Sequence, residues 1–344
     1  MSDMNRRAFG RTGLLGLTAF ALPAWADTRV RPYALAQAAD GRGYRYIHLD
    51  VFTDRRLQGN QLFVFVQPAG LDTETMQTMT RESNLSECTF VFPPEQAGTD
   101  HRVRIFTRTA ETPFAGHPTI GTAFALAHTG ALKPGLLHTT FGLGVGPTNI
   151  DLEWKDGKLS FAWMTQQKPT FGKTVTDAVA LAAALGLDAT AIQAKPDQIP
   201  AGQEVYSGST FFVVPLATRK AVDAAVLDRA KVDAVFAAAG VQRRGIYVFS
   251  VERGGDDVTA YSRMLPAGGI EDPATGSAVG PAGCFAAKYG FVPASSVGSM
   301  VFQQGVFARR LSRLHVRVTM SGTDVTAVKV GGASVVVGEG TMGV

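Results

Sequence analysis

The sequence predicts an α+β fold with two pseudo-symmetric halves, each a curled mixed β-sheet or barrel around a central helix. Three observations lead to this class. Many short strand patterns occur with only a few helix patterns, and the two do not alternate as a parallel βαβ sheet requires. Two predicted helices are apolar on nearly all sides, so each must be surrounded by protein. Both run between equally spaced glycines, Gly116 to Gly130 and Gly276 to Gly290.

The first half of the chain carries most of the strand patterns. Asp72 is expected to cap a helix over residues 73–83, because its carboxylate can accept from the first free backbone N–H groups. Residues 155–158 are expected to form a tight hairpin turn. Strands are predicted at 46–52, 62–66, 88–92, 102–107, 137–141, 148–154 and 159–164.

The second half repeats this style. Helices are predicted at 177–185, with Thr176 as cap and Gly186 as stop, and at 227–239, stopped by Gly240. The order of strand, short loop and apolar helix occurs once in each half, which is a faint internal repeat. Strands are predicted at 211–215, 245–250, 258–264, 314–318 and 335–338.

The first 26 residues have the three parts of an export signal. NRRAF at 5–9 is a twin-arginine pattern, residues 14–22 form a short apolar stretch, and AWA at 24–26 is a small-x-small cleavage site. We expect cleavage after Ala26 and a periplasmic protein that begins at Asp27, with a flexible lead-in over 27–43. The alternative is a membrane anchor, which would need about 20 apolar residues, roughly twice this stretch.

Charge and motif spacing argue against several kinds of partner. The 344 residues carry a net formal charge of +4, half of it in the first 26, and no basic run indicates nucleic acid. The six histidines are scattered, so no metal site is expected. No helix pattern follows the glycines of residues 142–146, which indicates a turn rather than a phosphate loop. Cys88 and Cys284 are expected to be buried free thiols, although an oxidising compartment would also permit a disulfide.

Polar and acidic residues gather at the starts of the two apolar helices. Such starts leave free backbone N–H groups at the positive end of the helix dipole, which suits a carboxylate or a developing oxyanion. His117 lies at one start, Glu271 and Asp272 precede the other, and Glu87 begins a strand that could point it into a cleft. Taken singly, each has an ordinary alternative: a solvated strand-edge acid, a locally satisfied histidine or a helix cap.

Several segments resemble the phenazine-biosynthesis PhzF-like family. They follow one another in the family's order with similar spacing, and the resemblance extends over residues 44–342, with 165–245 the least diagnostic part. The segments are HLDVFTDRRLQGNQL at 48–62, RESNLSECTFV at 81–91, RIFTRTAETPFAGHPTIGTA at 104–123, YSRMLPAGGIEDPATGSAVGP at 261–281 and VGGASVVVGEGTM at 330–342.

The resemblance implies a diaminopimelate-epimerase-like fold with the active site in the cleft, and a homodimer. Residues 44–155 with 325–344 would form the first half, and 156–324 the second. The family's catalytic residues fall on Glu87 in NLSE, His117 in GHPT and Asp272 in EDPATGS. The substrate-binding residues that the resemblance implies are Asn60, Gly116, Thr275, Gly276 and Ser277.

The implied activity is that of an isomerase that moves a proton on a small carboxylate without metal or cofactor. Glu87 would act first as base and then as acid, while helix-start amides hold the carboxylate. A periplasmic binding protein without turnover is one alternative. An epimerase or racemase on the same fold is another, although Ala115 and Asp272 stand where the related epimerases carry thiols. The export signal argues against the particular isomerisation of a phenazine precursor, which is a cytoplasmic metabolite.

The twin-arginine assignment predicts the fate of a double variant. Replacing Arg6 and Arg7 by lysine should keep the protein in the cytoplasm as uncleaved precursor, because the pair is the feature that the export route reads. Cell fractionation with N-terminal sequencing measures this, and normal export of the double variant would contradict the assignment.

Overall fold

A single large sheet organises the described part of this computed structural model, which comprises residues 43–344 without 243, 256 and 267–269. The predicted signal peptide and residues 27–42 of the lead-in lie outside the described residues. The strands are β1 Gly43–Val51, β2 Asn60–Val66, β3 Glu87–Phe92, β4 His101–Thr107, β5 Glu111–Thr112, β6 His138–Leu143, β7 Gly146–Lys155, β8 Lys158–Thr165, β9 Thr170–Val175, β10 Gly202–Tyr206, β11 Thr210–Pro215, β12 Ile246–Ser250, β13 Ala260–Leu265, β14 Met300–Gln304, β15 Ser312–Ser321, β16 Asp324–Gly332 and β17 Ser334–Gly343.

The strands pair in one uninterrupted order. It runs β17–β1–β2–β3–β4–β6–β7–β8–β16–β15–β14–β13–β12–β11–β10–β9, with β5 added beside β4. Most pairs are antiparallel, and the parallel ones are β2–β3, β4–β6, β11–β12 and β13–β14. The sheet curls without closing, and β17 and β9 are its two ends.

Two central helices fill the curls of the sheet. They are α2 Gly116–His128 and α6 Gly276–Lys288, each 13 residues long. Helix α2 packs against β1, β2, β3, β8 and β17, and α6 packs against β10, β11, β12, β15 and β16. Both helices are buried along almost their whole length, and their apolar side chains join the main hydrophobic core. The predicted α+β class, with one apolar helix inside each curl, is confirmed.

The remaining helices cover the outside of the sheet. A small aromatic and methionine core lies beneath α1 Thr73–Ser83, and a second core lies beneath three short helices. Those helices are α3 Ala178–Ala184, α4 Arg219–Ala224 and α5 Arg229–Ala239. No helix of the described residues is long and apolar enough to cross a membrane. The division into halves at 155/156 and 324/325 stays a prediction.

Most predicted elements are present, and several details differ. Asp72 caps α1 by accepting from the Thr75 N–H at 2.7 Å, as predicted. The predicted cap Thr176 is wrong, because α3 begins one residue later and Asp177 accepts from Ala180 N–H. Helix α5 begins after Asp228 rather than at 227. The turn predicted at residues 142–146 joins β6 and β7, as expected. Sequence reasoning missed α4, β5, β9, β10, β14 and β16.

The two central helices meet at their first residues. A Cβ atom built on Gly116 would lie 2.4 Å from the carbonyl carbon of Gly276, and one built on Gly276 would lie 3.0 Å from the Gly116 Cα. No side chain fits in that space, so only glycine permits this approach. The positive ends of both helix dipoles therefore point into one small region of the protein.

The contact between the helix starts predicts a steep cost for one methyl group. Gly116→Ala should lower the free energy of unfolding by about 3 kcal/mol, the upper end of overpacking costs, because the obstructing atoms are backbone. Gly298→Ala is the matched control, since a Cβ there meets nothing within 4 Å. Denaturant unfolding of both variants measures the difference, and equal stabilities would contradict the packing argument.

Candidate active site

The predicted site residues come together where strand starts and helix starts converge. Asn60 is the first residue of β2 and Glu87 the first of β3, and these two strands are parallel neighbours. His117 is the second residue of α2, which packs on the same strands. Asp272 lies four residues before α6. Residues distant in sequence therefore share one partly enclosed site.

Asn60 links the two helix starts. Its side-chain amide nitrogen lies 2.6 Å from Asp272 Oδ1, 2.9 Å from the Ala274 carbonyl and 3.1 Å from His117 Nδ1. An amide nitrogen carries two hydrogens, and the carboxylate and the carbonyl can only accept. Both hydrogens are thus taken by Asp272 and Ala274, and the histidine nitrogen is a neighbour rather than an acceptor from Asn60.

His117 is a neutral, buried imidazole. Its side chain is almost fully buried, and this burial lowers the pKa of His117 to about 3. A hydrogen bond to the Gln61 backbone opposes that shift only in part. Nε2 has no hydrogen-bond partner among the described residues and lies 3.7 Å from Glu87 Oε2. Because the ring is uncharged, this contact is not an ion pair.

Glu87 has a higher pKa than Asp272, the other acid of the site. Its side chain is 21% exposed. Removal from water and then the negative charge of Asp272 raise the pKa of Glu87 from 4.5 to about 7. At neutral pH the carboxyl is therefore present in both forms, which suits a group that takes a proton and returns it.

Asp272 is the better stabilised anion of the pair. Burial raises the pKa of Asp272 to about 6, and the donors Thr275 and Asn60 oppose the rise. The Thr275 hydroxyl donates to Oδ2 at 2.6 Å, while Asn60 serves Oδ1. Both carboxylate oxygens thus receive a hydrogen bond, which favours the charged form.

Neither of the two helix starts is capped by a side chain. Neither Ala115 before α2 nor Thr275 before α6 makes a side-chain cap hydrogen bond. The Gln166 amide donates to the Gly276 carbonyl at 2.9 Å and fixes the first turn of α6. Ser277 is half-buried at the second position of α6. Uncapped N–H groups at two adjoining helix starts are a suitable place for a carboxylate.

One of the acids that precede α6 forms an ion pair instead of joining Glu87 and Asp272. Glu271, next to Asp272, forms a buried ion pair with Arg263, whose guanidinium lies 2.8 Å from the carboxylate. Arg263 also donates to the carbonyls of Val222, Asp223 and Ala225. Through Arg263, Glu271 therefore fixes the loop that contains Asp272 against the end of α4.

Sequence reasoning missed three residues that hold the site together. Gln304 and Tyr247 lie beneath the start of α6, fully buried and hydrogen-bonded to each other. Arg310 donates to Asp50 Oδ1 at 2.5 Å and to carbonyls of the loop that precedes Asn60. The signal that could have revealed Gln304 is a polar residue at the end of the apolar strand β14.

The two cysteines are buried in the hydrophobic cores. Both are buried free thiols, as predicted. Cys88 follows Glu87 on β3, but its side chain joins the core beneath α1, and burial raises its pKa to about 11. Within the described ranges, no group of three or more His, Cys, Asp or Glu residues is arranged to hold a metal ion.

Most of the chain matches a known protein family. The family model described as "Phenazine biosynthesis-like protein" matches residues 49–340. The chain belongs to the phenazine-biosynthesis-like family. It is 37% identical over 305 residues to trans-2,3-dihydro-3-hydroxyanthranilate isomerase of Pseudomonas aeruginosa, a match that covers 86% of this chain and 98% of the relative. The family assignment and this relative make the protein an isomerase.

Solved structures support the same fold. The crystal structure of a Bacillus anthracis family member has a TM-score of 0.75 at 24% identity, covering 88% of this chain and all of that one. A hydroxyproline epimerase from Agrobacterium vitis has a TM-score of 0.60 at 12% identity, covering 88% and 93%. The family fold is thus shared with epimerases, as the diaminopimelate-epimerase-like expectation requires.

The environment of Glu87 predicts a pH-dependent stability. The folded state binds the Glu87 proton more tightly than the unfolded state, so ionisation costs stability as pH rises from 4.5 to about 7. Glu87→Gln should therefore stabilise the protein at pH 8 by on the order of 3 kcal/mol and much less at pH 4.5.

Denaturant unfolding of the wild type and the variant at both pH values measures this difference. Glu82→Gln is the control, since Glu82 is exposed on α1. A Glu87→Gln effect that is equal at both pH values would contradict the raised pKa.

Proposed function

We propose that this isomerase moves a proton on a small carboxylate substrate by acid/base chemistry of Glu87, with no metal or cofactor taking part. The observation that carries the proposal is the contact between Glu87 and His117. Glu87, with its pKa near 7, lies 3.7 Å from Nε2 of a neutral, buried histidine. A carboxyl group that is half ionised at neutral pH can remove a proton and deliver it again.

The proposed reaction balances without a redox partner. The Glu87 carboxylate takes a proton from a substrate carbon, and the bonding pair that is left moves into the adjoining conjugated system. Protonated Glu87 then gives the same proton to another carbon of that system, which shifts the double bond. The neutral His117 would form a hydrogen bond through Nε2 with Glu87 or with a hydroxyl or amine of the substrate.

The remaining residues would bind and orient the substrate. The uncapped starts of α2 and α6, at Gly116, Gly276 and Ser277, would hold the substrate carboxylate and the charge that develops on it. Asp272, held by Asn60 and Thr275, would orient an amine or hydroxyl. The relative that acts on trans-2,3-dihydro-3-hydroxyanthranilate makes that compound the first to test.

Two other functions are distinguished by observations on this chain. A racemase that uses two thiols across the substrate is disfavoured, because Cys88 and Cys284 are buried in the cores and Asp272 stands near one helix start. A binding protein without turnover has no need of a carboxyl poised to exchange a proton. The name of the Pseudomonas relative and the state of Glu87 both favour an enzyme.

The cellular setting completes the proposal. The export signal at residues 1–26 supports a mature enzyme in the periplasm, and the family resemblance supports a homodimer. A periplasmic enzyme would act on small carboxylates from outside the cytoplasm, so substrates beyond phenazine precursors should be screened.

Glu87→Gln is the decisive variant for this function. It keeps the shape of the side chain but removes the base, so exchange of the substrate's carbon-bound proton with deuterated water should fall by about 10²–10⁴-fold. Binding of the carboxylate should persist because the helix starts are unchanged. Proton NMR of the substrate in deuterated water measures exchange, and calorimetry measures binding.

The wild type should also lose kcat/KM as the pH falls below about 7, where Glu87 becomes protonated. Asp272→Asn is the comparison variant, and it should weaken binding as well as rate. Exchange at wild-type speed in Glu87→Gln would place the base elsewhere.

A further inference from the structure

A buried glutamine beneath the start of α6 has a fixed orientation. Gln304 is the last residue of β14, and its side chain has no solvent exposure. Its Nε2 lies 2.8 Å from the Asp272 carbonyl, which can only accept, and its Oε1 lies 3.2 Å from the Thr275 N–H, which can only donate. These two partners determine which end of the amide is nitrogen, because the flipped amide would face both with the wrong polarity.

This orientation determines where the Thr275 hydroxyl proton points. The second Nε2 hydrogen of Gln304 donates to Thr275 Oγ1 at 3.0 Å. The hydroxyl therefore accepts from Gln304, and its one proton is directed to Asp272 Oδ2 at 2.6 Å. Tyr247 donates to Gln304 Oε1 at 3.1 Å and so supports the same orientation from below.

We propose that Gln304 is a positioning residue that aims the Thr275 hydroxyl at Asp272, which keeps Asp272 ionised and leaves the exchangeable proton of the acid pair on Glu87. This inference rests on the proposed function of Glu87. Gln304 touches neither carboxylate with its own side chain; it acts on the site through the Thr275 hydroxyl and the backbone of Asp272.

The other charged groups around Glu87 and Asp272 do not replace the hydrogen bond from the Thr275 hydroxyl. Glu271 raises the pKa of Asp272 by its negative charge, and the positive charge of Arg108 lowers the pKa of Glu87. His117 is neutral, and Asn60 serves only the other oxygen of Asp272. Without the Thr275 donor, one oxygen of the Asp272 carboxylate would lose its hydrogen bond. Asp272 would then take up a proton more readily, and its repulsion of the Glu87 charge would weaken.

The test follows both carboxyl groups by ¹³C NMR titration of the unliganded full-length protein. Thr275→Val removes the hydroxyl, and Gln304→Met removes the amide at similar length. Each should raise the titration midpoint of Asp272 by about one unit, the scale of a lost hydrogen bond to a charged group, and lower that of Glu87. Thr275→Ser keeps the hydroxyl and should restore wild-type midpoints.

The double variant Gln304→Met/Thr275→Val separates positioning from a general structural effect. If Gln304 acts through the hydroxyl, the double variant should titrate like Thr275→Val alone. Additive shifts, or a folded Gln304→Met protein with wild-type midpoints, would overturn the proposal. If Gln304→Met loses its near-ultraviolet circular dichroism, Tyr247→Phe takes its place. That variant should give a smaller shift in the same direction, and no shift would overturn the proposal.

Kinetics distinguish a failure of this inference from a failure of the proposed function. With a substrate that the wild type turns over, the acid limb of kcat/KM in Gln304→Met should move to lower pH, following the Glu87 midpoint. Normal proton exchange in Glu87→Gln would overturn the function while leaving the titration result in place. If Gln304→Met leaves both the acid limb of kcat/KM and the two titration midpoints unchanged, the role of Gln304 is overturned while the proposed function stands.

Discussion

The contact between Gly116 and Gly276 is the constraint on which the rest of the site depends. Two helices, each inside its own curl of the sheet, begin so close together that neither first residue can carry a Cβ atom. This contact brings residues from distant parts of the chain to within hydrogen-bonding distance. Phe52, whose backbone is strained with φ of 64°, places its ring against Gly276 at this contact.

The same contact places the positive ends of two helix dipoles side by side, and negative charge nearby compensates them. Two helix starts present their positive ends to one region without side-chain caps. Asp272 supplies one compensating negative charge, and a substrate carboxylate would supply another. The site is thus stabilised by the very group it is proposed to bind, which is a reason to expect ligand binding to stabilise the fold.

Burial then separates the protonation states of the three central residues. The same removal from water raises the pKa of both acids and lowers that of His117. Donors from Asn60 and Thr275 favour the charge on Asp272, and Glu87 has the higher pKa of the two acids. Two carboxyl groups and one histidine can thus differ in protonation state, because each has a different environment.

Sequence patterns were enough to predict the fold class, and they named the residues that meet in the candidate site. The equal spacing of Gly116–Gly130 and Gly276–Gly290 indicated two matched apolar helices, and local patterns located most strands. The motifs around Glu87, His117 and Asp272 were visible because each is a local string. The strand β16 was not predicted, although it pairs with its sequence neighbour β15 as well as with β8. The network around Gln304 was not visible, because its partners Thr275 and Asp272 lie about 30 positions away. The ion pair of Glu271 with Arg263, and the hydrogen bond of its neighbour Asp272 with Asn60, became clear only in three dimensions. The reason is that burial and hydrogen-bond partners are set by contacts that no local pattern contains.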